Sequence, residues 1–209
     1  MTIVSELSSQ VGDRTEQANL RVAALCLDNP GLFKDLADAL SHKDADLVGD
    51  CAEVFTKGAE QRPDLVAPYA DALTPLLEHK KTRVRWEATH ALALVATLAP
   101  QTIQTHLPQL QSMIRHDSSV IVRDYAVDAV GNYAALGEKE AQDAYPILEE
   151  ALQLWDGKQA GHALDGLVNV ARQVPALWDD LRGIGQVYLT HGRAVIRKAA
   201  KALIKTIER

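Results

Sequence analysis

The chain has 209 residues, 47% hydrophobic and 24% charged, which is typical of a soluble globular protein and excludes a disordered or collagen-like chain. Aromatic residues make up only 5%, and 12 glycines and 8 prolines are too few for the turn-dense chain of a β-sandwich or barrel. The net charge of −6 argues against a general binder of nucleic acid or anionic membranes. We therefore expect an all-α protein.

The first residues, 1–12, have neither a basic stretch nor an apolar stretch, so they predict no secretory signal and are assigned to an N-terminal cap or tail. Cys26 and Cys51 are too few for a disulfide framework and predict buried thiols in a reducing, cytoplasmic setting. The longest uncharged stretch has an apolar core of only Ala91 to Ala99, whereas a membrane helix needs about 20 apolar residues. No membrane segment is expected.

Prolines divide the chain at a regular interval. Pro30, Pro63, Pro100 and Pro175 are separated by 33, 37 and 75 residues, and the missing step falls at Glu138. An alanine precedes each of these positions by eleven or twelve residues, at Ala18, Ala52, Ala88, Ala126 and Ala163. Proline is tolerated at a helix start, and small residues let helices approach closely. Each period therefore predicts a helix A, which carries the alanine, followed by a helix B, which begins at the proline.

Short motifs recur with the same period. Val84-Arg85, Val122-Arg123 and Ile196-Arg197 stand three residues before the small residue, and Asp117 stands six before Arg123. This pattern resembles the HEAT repeat of the armadillo-like class, with His79, His191 and Ala160 as departures from it. The resemblance implies an all-α, right-handed α-α superhelix of about five helix pairs plus a terminal helix. It covers one domain, 13–209, with repeats at 13–43, 44–79, 80–116, 117–154, 155–189 and 190–209.

Four histidines follow the repeat. His42, His79, His116 and His191 fall at the ends of B helices, where a cation gains about 0.3–1 kcal/mol from the helix dipole, which explains them without a ligand. The sequence has no Gly-x-Ser-x-Gly motif, phosphate-binding glycine loop or metal-ligand spacing. We therefore expect no enzyme, no metal and no cofactor.

A polar pair also recurs. Asp128 with Asn132, and Asp165 with Asn169, are four residues apart and occupy the same offset in neighbouring repeats. Two interpretations stay open: a solvated helix face, or a small ladder of side chains that binds an extended peptide.

Charge gives the strongest indication of function. The five B segments hold 12 acidic and 4 basic residues, whereas the rest of the chain holds 16 and 18. The HEAT resemblance implies that B helices line a concave surface, which would then be acidic. The sequence predicts a non-enzymatic scaffold that binds a protein partner, such as a basic segment, there. The predicted partner-binding residues are Glu138, Glu140, Asp143, Glu149, Glu150, Asp179 and Asp180.

The last helix has the opposite sign. Arg193, Arg197, Lys201, Lys205 and Arg209 recur every four residues, and Lys198 adds to them. This secondary basic patch could be a solubilising cap, contact nucleic acid or an acidic protein, or meet residues 28–78, which hold 11 acids and 4 bases. A monomer or weak self-association is expected.

One rival comes from another class. Some HEAT-like proteins resemble DNA glycosylases that remove alkylated bases with tryptophan and aspartate in a basic channel. Trp86, Trp155, Trp178 and Asp179 keep this alternative open. An acidic inner surface argues against it, because duplex binding depends on neutralising phosphates.

Overall fold

A computed structural model describes residues 2–208, and this range contains helices and turns but no strand. The chain divides into two compact units, Met1–Thr102 and Ile103–Arg209. Each unit is described by itself below. The predicted division into six repeats stays a prediction.

The first unit begins with a short cap. A 3-10 turn, Ile3–Glu6, and α1 (Ser8–Val11) hold Leu7 in the core with no exposed surface. The helices that follow are α2 (Gln17–Asp28), α3 (Leu32–Ala39), α4 (Ala45–Gln61), α5 (Pro63–Val66), α6 (Ala70–Leu73) and α7 (Thr82–Val95). Helix α4 packs between α2 and α7, while α3, α5 and α6 form a second layer behind them.

The expected B helix between Pro63 and His79 is broken. Short α-helical turns alternate there with 3-10 turns at Ala67–Tyr69 and Thr74–Glu78. Pro68 and Pro75 lie in the first turn of each 3-10 segment. Proline lacks an amide hydrogen and its ring crowds the preceding helical turn, which weakens a helix. One internal proline is tolerated in α8 (Pro108) and in α10 (Pro146), whereas the segment after Pro63 contains two, Pro68 and Pro75, and is broken at both.

Helix α8 (Pro100–His116) begins at the unit boundary. The second unit continues with α9 (Val120–Tyr133), α10 (Glu138–Ala151), α11 (Ala160–Gln173), α12 (Trp178–Tyr188) and α13 (Ala194–Ile207). Helix α11 packs between α9 and α13, whereas α10 packs on α9 and α11, and α12 packs on α13 and α11. The second unit therefore has a layer of A helices, α9, α11 and α13, and the B helices α10 and α12 pack against this layer.

Two glycines set the spacing of α9 and α11. A Cβ atom placed on Gly131 would lie 2.8 Å from the Cα atom of Gly166, closer than real atoms approach. Backbone meets backbone at this crossing, so neither position has room for a side chain. The recurring alanines of these two helices, Ala126 and Ala163, are also fully buried.

The recurring arginines form hydrogen bonds from the start of an A helix to the turn that precedes it. The guanidinium of Arg85 donates to the carbonyl of His79 at 2.8 Å, and Arg197 donates to His191 at the same distance. Arg123 makes the corresponding bond to the carbonyl of Asp117. The motif on which the HEAT resemblance rests thus closes a loop six residues long.

The histidines of these turns accept hydrogen bonds. Nδ1 of His42, His79 and His191 accepts the backbone amide two residues further on, at 3.0–3.1 Å. Asp117 Oδ1 accepts the amide of Ser119 in the same way. At these three turns the imidazole therefore takes the place of the aspartate as the acceptor, a structural role that the dipole interpretation did not include.

The turn before α11 is different. Ala160 takes the place of the arginine, and Trp155, Asp156 and Gly157 have φ of 53°, 56° and 70°. The indole of Trp155 donates to the carbonyl of Ile114 at 2.9 Å, and its ring lies 4.0 Å from the guanidinium carbon of Arg123. These contacts hold a backbone conformation that non-glycine residues rarely adopt.

Candidate protein-binding surfaces

The predicted acidic residues lie on α10 and α12 of the second unit. Helix α10 buries Ala141, Ala144, Ile147, Leu148 and Ala151. Its opposite side therefore faces solvent and carries Glu138 and Glu149, while Asp179 and Asp180 are exposed in the first turn of α12. We call the seven predicted residues of α10 and α12 the acidic surface.

Two members of the acidic surface are already paired. Arg115 of α8 donates twice to Glu150, at 2.8 Å each, and Gln111 adds a third bond. The bonds from Arg115 hold the pKa of Glu150 below its usual value. Asp179 is paired with Arg182, one turn along α12. These two carboxylates are neutralised within the protein.

The other five have no cationic partner. Among residues 2–208, no ion pair involves Glu138, Glu140, Asp143, Glu149 or Asp180. The surface therefore has uncompensated negative charge, which attracts positive partners and is screened by salt.

Two tyrosines lie under the influence of these carboxylates. The half-buried Tyr145 donates to Glu149 at 3.3 Å, and the negative charge of Asp180 on α12 also acts on its phenol. Tyr133 is 1% exposed, its hydroxyl has no hydrogen-bond partner among residues 2–208, and it faces Asp143 and Glu140. Burial, reinforced by these negative charges, raises the pKa of both phenols to about 12. Asp143 and Glu140 thus act on Tyr133, and Glu149 and Asp180 act on Tyr145, while Glu150 is bonded to Arg115 and Gln111.

Sequence reasoning missed both tyrosines. Tyr145 lies one helical turn before Glu149, a spacing visible in the sequence, but the approach of Asp180 depends on tertiary packing. For Tyr133 the sequence contains no comparable signal.

The basic patch lies on α13. Arg193, Lys201 and Lys205 are exposed, while Arg197 is half-buried and donates to the carbonyls of His191 and Gly192. Arg197 therefore has a structural role as well as a charge. Arg209 lies outside the described residues.

A groove crosses the A layer of the second unit. His162 of α11 lies 2.7 Å from Asp128 and 3.9 Å from Asp124, both on α9, and Asp165 also faces it. The hydrogen bond to Asp128 raises the pKa of His162, and the other two aspartates add to this effect. Two adjoining cavities of about 310 and 110 Å³ share His162 and Asp165.

The polar pairs predicted as a ladder lie in this groove. Asn169 donates to the carbonyl of Gly131 at 2.9 Å, so its amide closes the end of α9. Gln173 makes the same kind of bond to Ala135. Asp128 is engaged by His162. Asn169 and Asp128 of these pairs thus bridge α9 and α11, and no sequence pattern indicated that His162 joins them.

The first unit contains a buried polar network. Asp50 and Glu53 of α4 are 1% and 6% exposed, and both accept from Arg83 of α7, at 2.7 and 2.6 Å. Asn19 of α2 donates to the same two carboxylates. Glu87, also 6% exposed, accepts from Trp86 at 2.6 Å; burial and the charge of Glu53 raise its pKa to about 7. A cleft of about 500 Å³ opens beside Arg83.

The residues that suggested a glycosylase have local partners. The indole of Trp86 donates to Glu87, that of Trp155 to Ile114 and that of Trp178 to Ala171. Asp179 is exposed and paired with Arg182. None of these contacts forms a base-binding pocket.

Cys26 and Cys51 are free and fully buried, and burial raises the pKa of both thiols to about 12. Over residues 2–208, no three His, Cys, Asp or Glu side chains are grouped so that they could hold a metal ion. No helix in the same range combines the length and apolar character needed to cross a bilayer.

Designed armadillo repeat proteins are among the solved structures similar to this chain. A designed armadillo repeat protein in complex with the peptide (KR)4 has a TM-score of 0.73 at 18% identity, over 98% of each chain. A computationally designed armadillo repeat protein for modular peptide recognition has a TM-score of 0.71 at 17% identity, again over 98% of each chain. An engineered protein has 0.71 at 21% identity, over 100% of this chain and 99% of its own.

No protein-family model matches the sequence, and no curated protein matches it. The fold is an armadillo/HEAT-like helical repeat, as the repeated motifs predicted.

Proposed function

We propose that this helical repeat protein is a non-enzymatic scaffold that binds a basic segment of a protein partner on the acidic surface of α10 and α12. The observation that carries the proposal is the group of five carboxylates without ion-pair partners. Folding alone does not require them there, because unpaired like charges on neighbouring helices repel one another. A partner that brings lysine or arginine relieves this repulsion.

The tyrosines strengthen the argument. Tyr145 presents a half-buried ring beside Glu149 and Asp180, and a cation near an aromatic face gains about 0.5–1 kcal/mol at exposed sites. A lysine or arginine side chain at this point would have negative charge and an aromatic ring within reach. The similar designed protein in complex with (KR)4 supports a positively charged peptide as the ligand class.

The burial of the candidate nucleophiles, the two cysteine thiols, supports a non-enzymatic function. Both thiols are buried and held in the protonated form. The tryptophans proposed for a glycosylase use their N–H groups within the fold. The acidic surface also disfavours duplex DNA, which requires positive charge.

Binding of fluorescently labelled (KR)4 tests the proposal. We expect an anisotropy change that weakens as salt is raised, because exposed charges are screened over about 10 Å at 0.1 M salt. The triple variant Glu138→Lys, Glu149→Lys, Asp180→Lys should bind about tenfold more weakly or worse, a change of about 1.4 kcal/mol. Glu150 is left unchanged because reversal there would set a lysine against Arg115.

A matched control carries the same change of charge elsewhere. Glu6, Glu16 and Asp28 are exposed acids of the first unit, and their reversal to lysine should leave most of the affinity. Equal losses in both triple variants would show that only net charge matters and would refute the surface assignment. Binding of labelled duplex DNA with (KR)4 left unbound would refute the function itself.

A further inference from the structure

Helix α13 has an exposed basic face. Its buried residues, Ile196, Ala199, Ala200, Leu203 and Ile207, lie on one side. Lys198, Lys201 and Lys205 are exposed on the opposite side, at spacings of three and four residues, so they form a row about 10 Å long. We call these three residues the lysine face.

The lysine face is not neutralised within the protein. No ion pair among residues 2–208 involves Lys198, Lys201 or Lys205, and α13 itself contains no acidic residue. Asp165 of α11 influences Lys198 only at longer range. Beside the row, Val195 is 56% exposed and Ala202 is also exposed. These short side chains allow another surface to approach the helix.

The chain therefore carries both an acidic surface and a basic face that lack internal partners. The acids of residues 28–78, the other acidic region of the sequence, do not complement the lysine face as well. Six of these eleven acids already form ion pairs within the first unit: Asp38, Asp46, Asp50, Glu53, Glu60 and Asp64. The other five are spread along residues 28–78, whereas the five carboxylates of the acidic surface that lack ion pairs lie on only two helices, α10 and α12.

We propose that the lysine face of one copy docks on the acidic surface of a second copy. This inference rests on the proposed function, since it identifies a basic segment that the acidic surface binds. The contact is electrostatic, and exposed ion pairs are individually weak. Three such pairs give a weak association, with a dissociation constant in the millimolar range or above, that salt suppresses. Self-association then competes with a basic partner for the same surface.

Complementary charge-reversal variants provide the test. Variant one changes Lys198, Lys201 and Lys205 to glutamate. Variant two is the acidic-surface variant Glu138→Lys, Glu149→Lys, Asp180→Lys. In sedimentation velocity at low ionic strength, we expect the wild-type sedimentation coefficient to rise with protein concentration and to stop rising when salt is added. Each variant alone should remain monomeric.

The decisive sample contains variant one and variant two together, without the wild-type protein. The wild type has one acidic and one basic surface per copy, whereas each variant has surfaces of a single sign. An equimolar mixture of the variants should associate, because the reversed surfaces attract across the two chains. A control variant with Arg21, Lys43 and Lys80 changed to glutamate, all exposed in the first unit and outside its ion pairs, should still self-associate.

Two results would overturn the inference: a wild-type protein that stays monomeric at low ionic strength, or a mixture that fails to associate although both variants show wild-type circular dichroism. The peptide assay separates this failure from failure of the proposed function. Variant one retains the acidic surface and should bind (KR)4 at least as tightly as the wild type. If it binds the peptide but no self-association occurs, only the docking of a second copy is refuted.

Discussion

The carboxyl group of Glu87 should make the stability of the first unit depend on pH. It is 6% exposed, and burial together with the charge of Glu53 raises its pKa from 4.5 to about 7. When the chain unfolds, the pKa returns to the ordinary value. Between these two values the folded protein holds a proton that the unfolded chain has released, so stability falls as pH rises through this window.

The size of the effect follows from the shift. One pKa unit corresponds to 1.36 kcal/mol, so ionising Glu87 costs the fold up to about 3 kcal/mol. The variant Glu87→Gln removes this ionisation and keeps an oxygen that can accept from Trp86. Its amide can also donate toward Glu53. We expect the variant to be more stable than the wild type at pH 8, by up to about 3 kcal/mol, and about equal to it at pH 4.5.

Urea unfolding followed by far-ultraviolet circular dichroism, at several pH values from 4.5 to 8.5, measures this difference. Glu6→Gln, at an exposed position of the same unit, is the matched control and should show no pH-dependent difference. A Glu87→Gln difference that is the same at pH 4.5 and pH 8 would refute the reasoning. It would mean that Glu87 ionises in the folded protein as easily as in the unfolded chain.

Three further predictions concern packing, turns and thiols. Gly131→Ala should destabilise the protein by about 1–3 kcal/mol in thermal melting, because the added Cβ would lie 2.8 Å from Gly166. Gly183→Ala in α12 is the control, since its Cβ would meet open space, and it should be neutral or stabilising. Equal effects of the two substitutions would contradict the tight crossing. His79→Ala should lower the stability by about 1 kcal/mol, because the amide of Lys81 loses its acceptor. His79→Asp should not lower it, since Asp117 accepts the corresponding amide in its own turn. Similar losses in both variants would exclude a contribution of this hydrogen bond. Thiol reagent should label Cys26 only on unfolding, so rapid labelling of the native protein would disprove its burial.

The architecture was predictable because it depends on local and periodic information. The proline interval, the alanine offset and the recurring arginines mark turns and helix crossings that the structure places where the repeat requires them. The broken helix between Pro63 and His79 was only partly predictable: Pro68 and Pro75 stand in the sequence, but Pro108 and Pro146 lie inside continuous helices.

The candidate site was less predictable. The sign of the charge on α10 and α12 is a property of composition and could be counted. Which carboxylates stay unpaired depends on partners about 35 residues away, as Arg115 and Glu150 show. The groove around His162 depends in the same way on Asp128, 34 residues earlier. Pair spacing near the repeat length is a usable signal, but residue type alone does not reveal which side chains point toward each other.

The left-handed turn at Trp155 has a consequence for how the second unit unfolds. Trp155 belongs to the turn before α11, yet its ring covers Arg123 of α9 and its indole is bonded to Ile114 of α8. Opening this one turn would expose Arg123, which is now 1% exposed. It would also break the contacts by which Trp155 links α8, α9 and the turn before α11. Stacked repeats lose structure one after another when their contacts are independent. Here the shared contact should make α8, α9 and α11 open as one cooperative block, with amide hydrogens that exchange at a common rate.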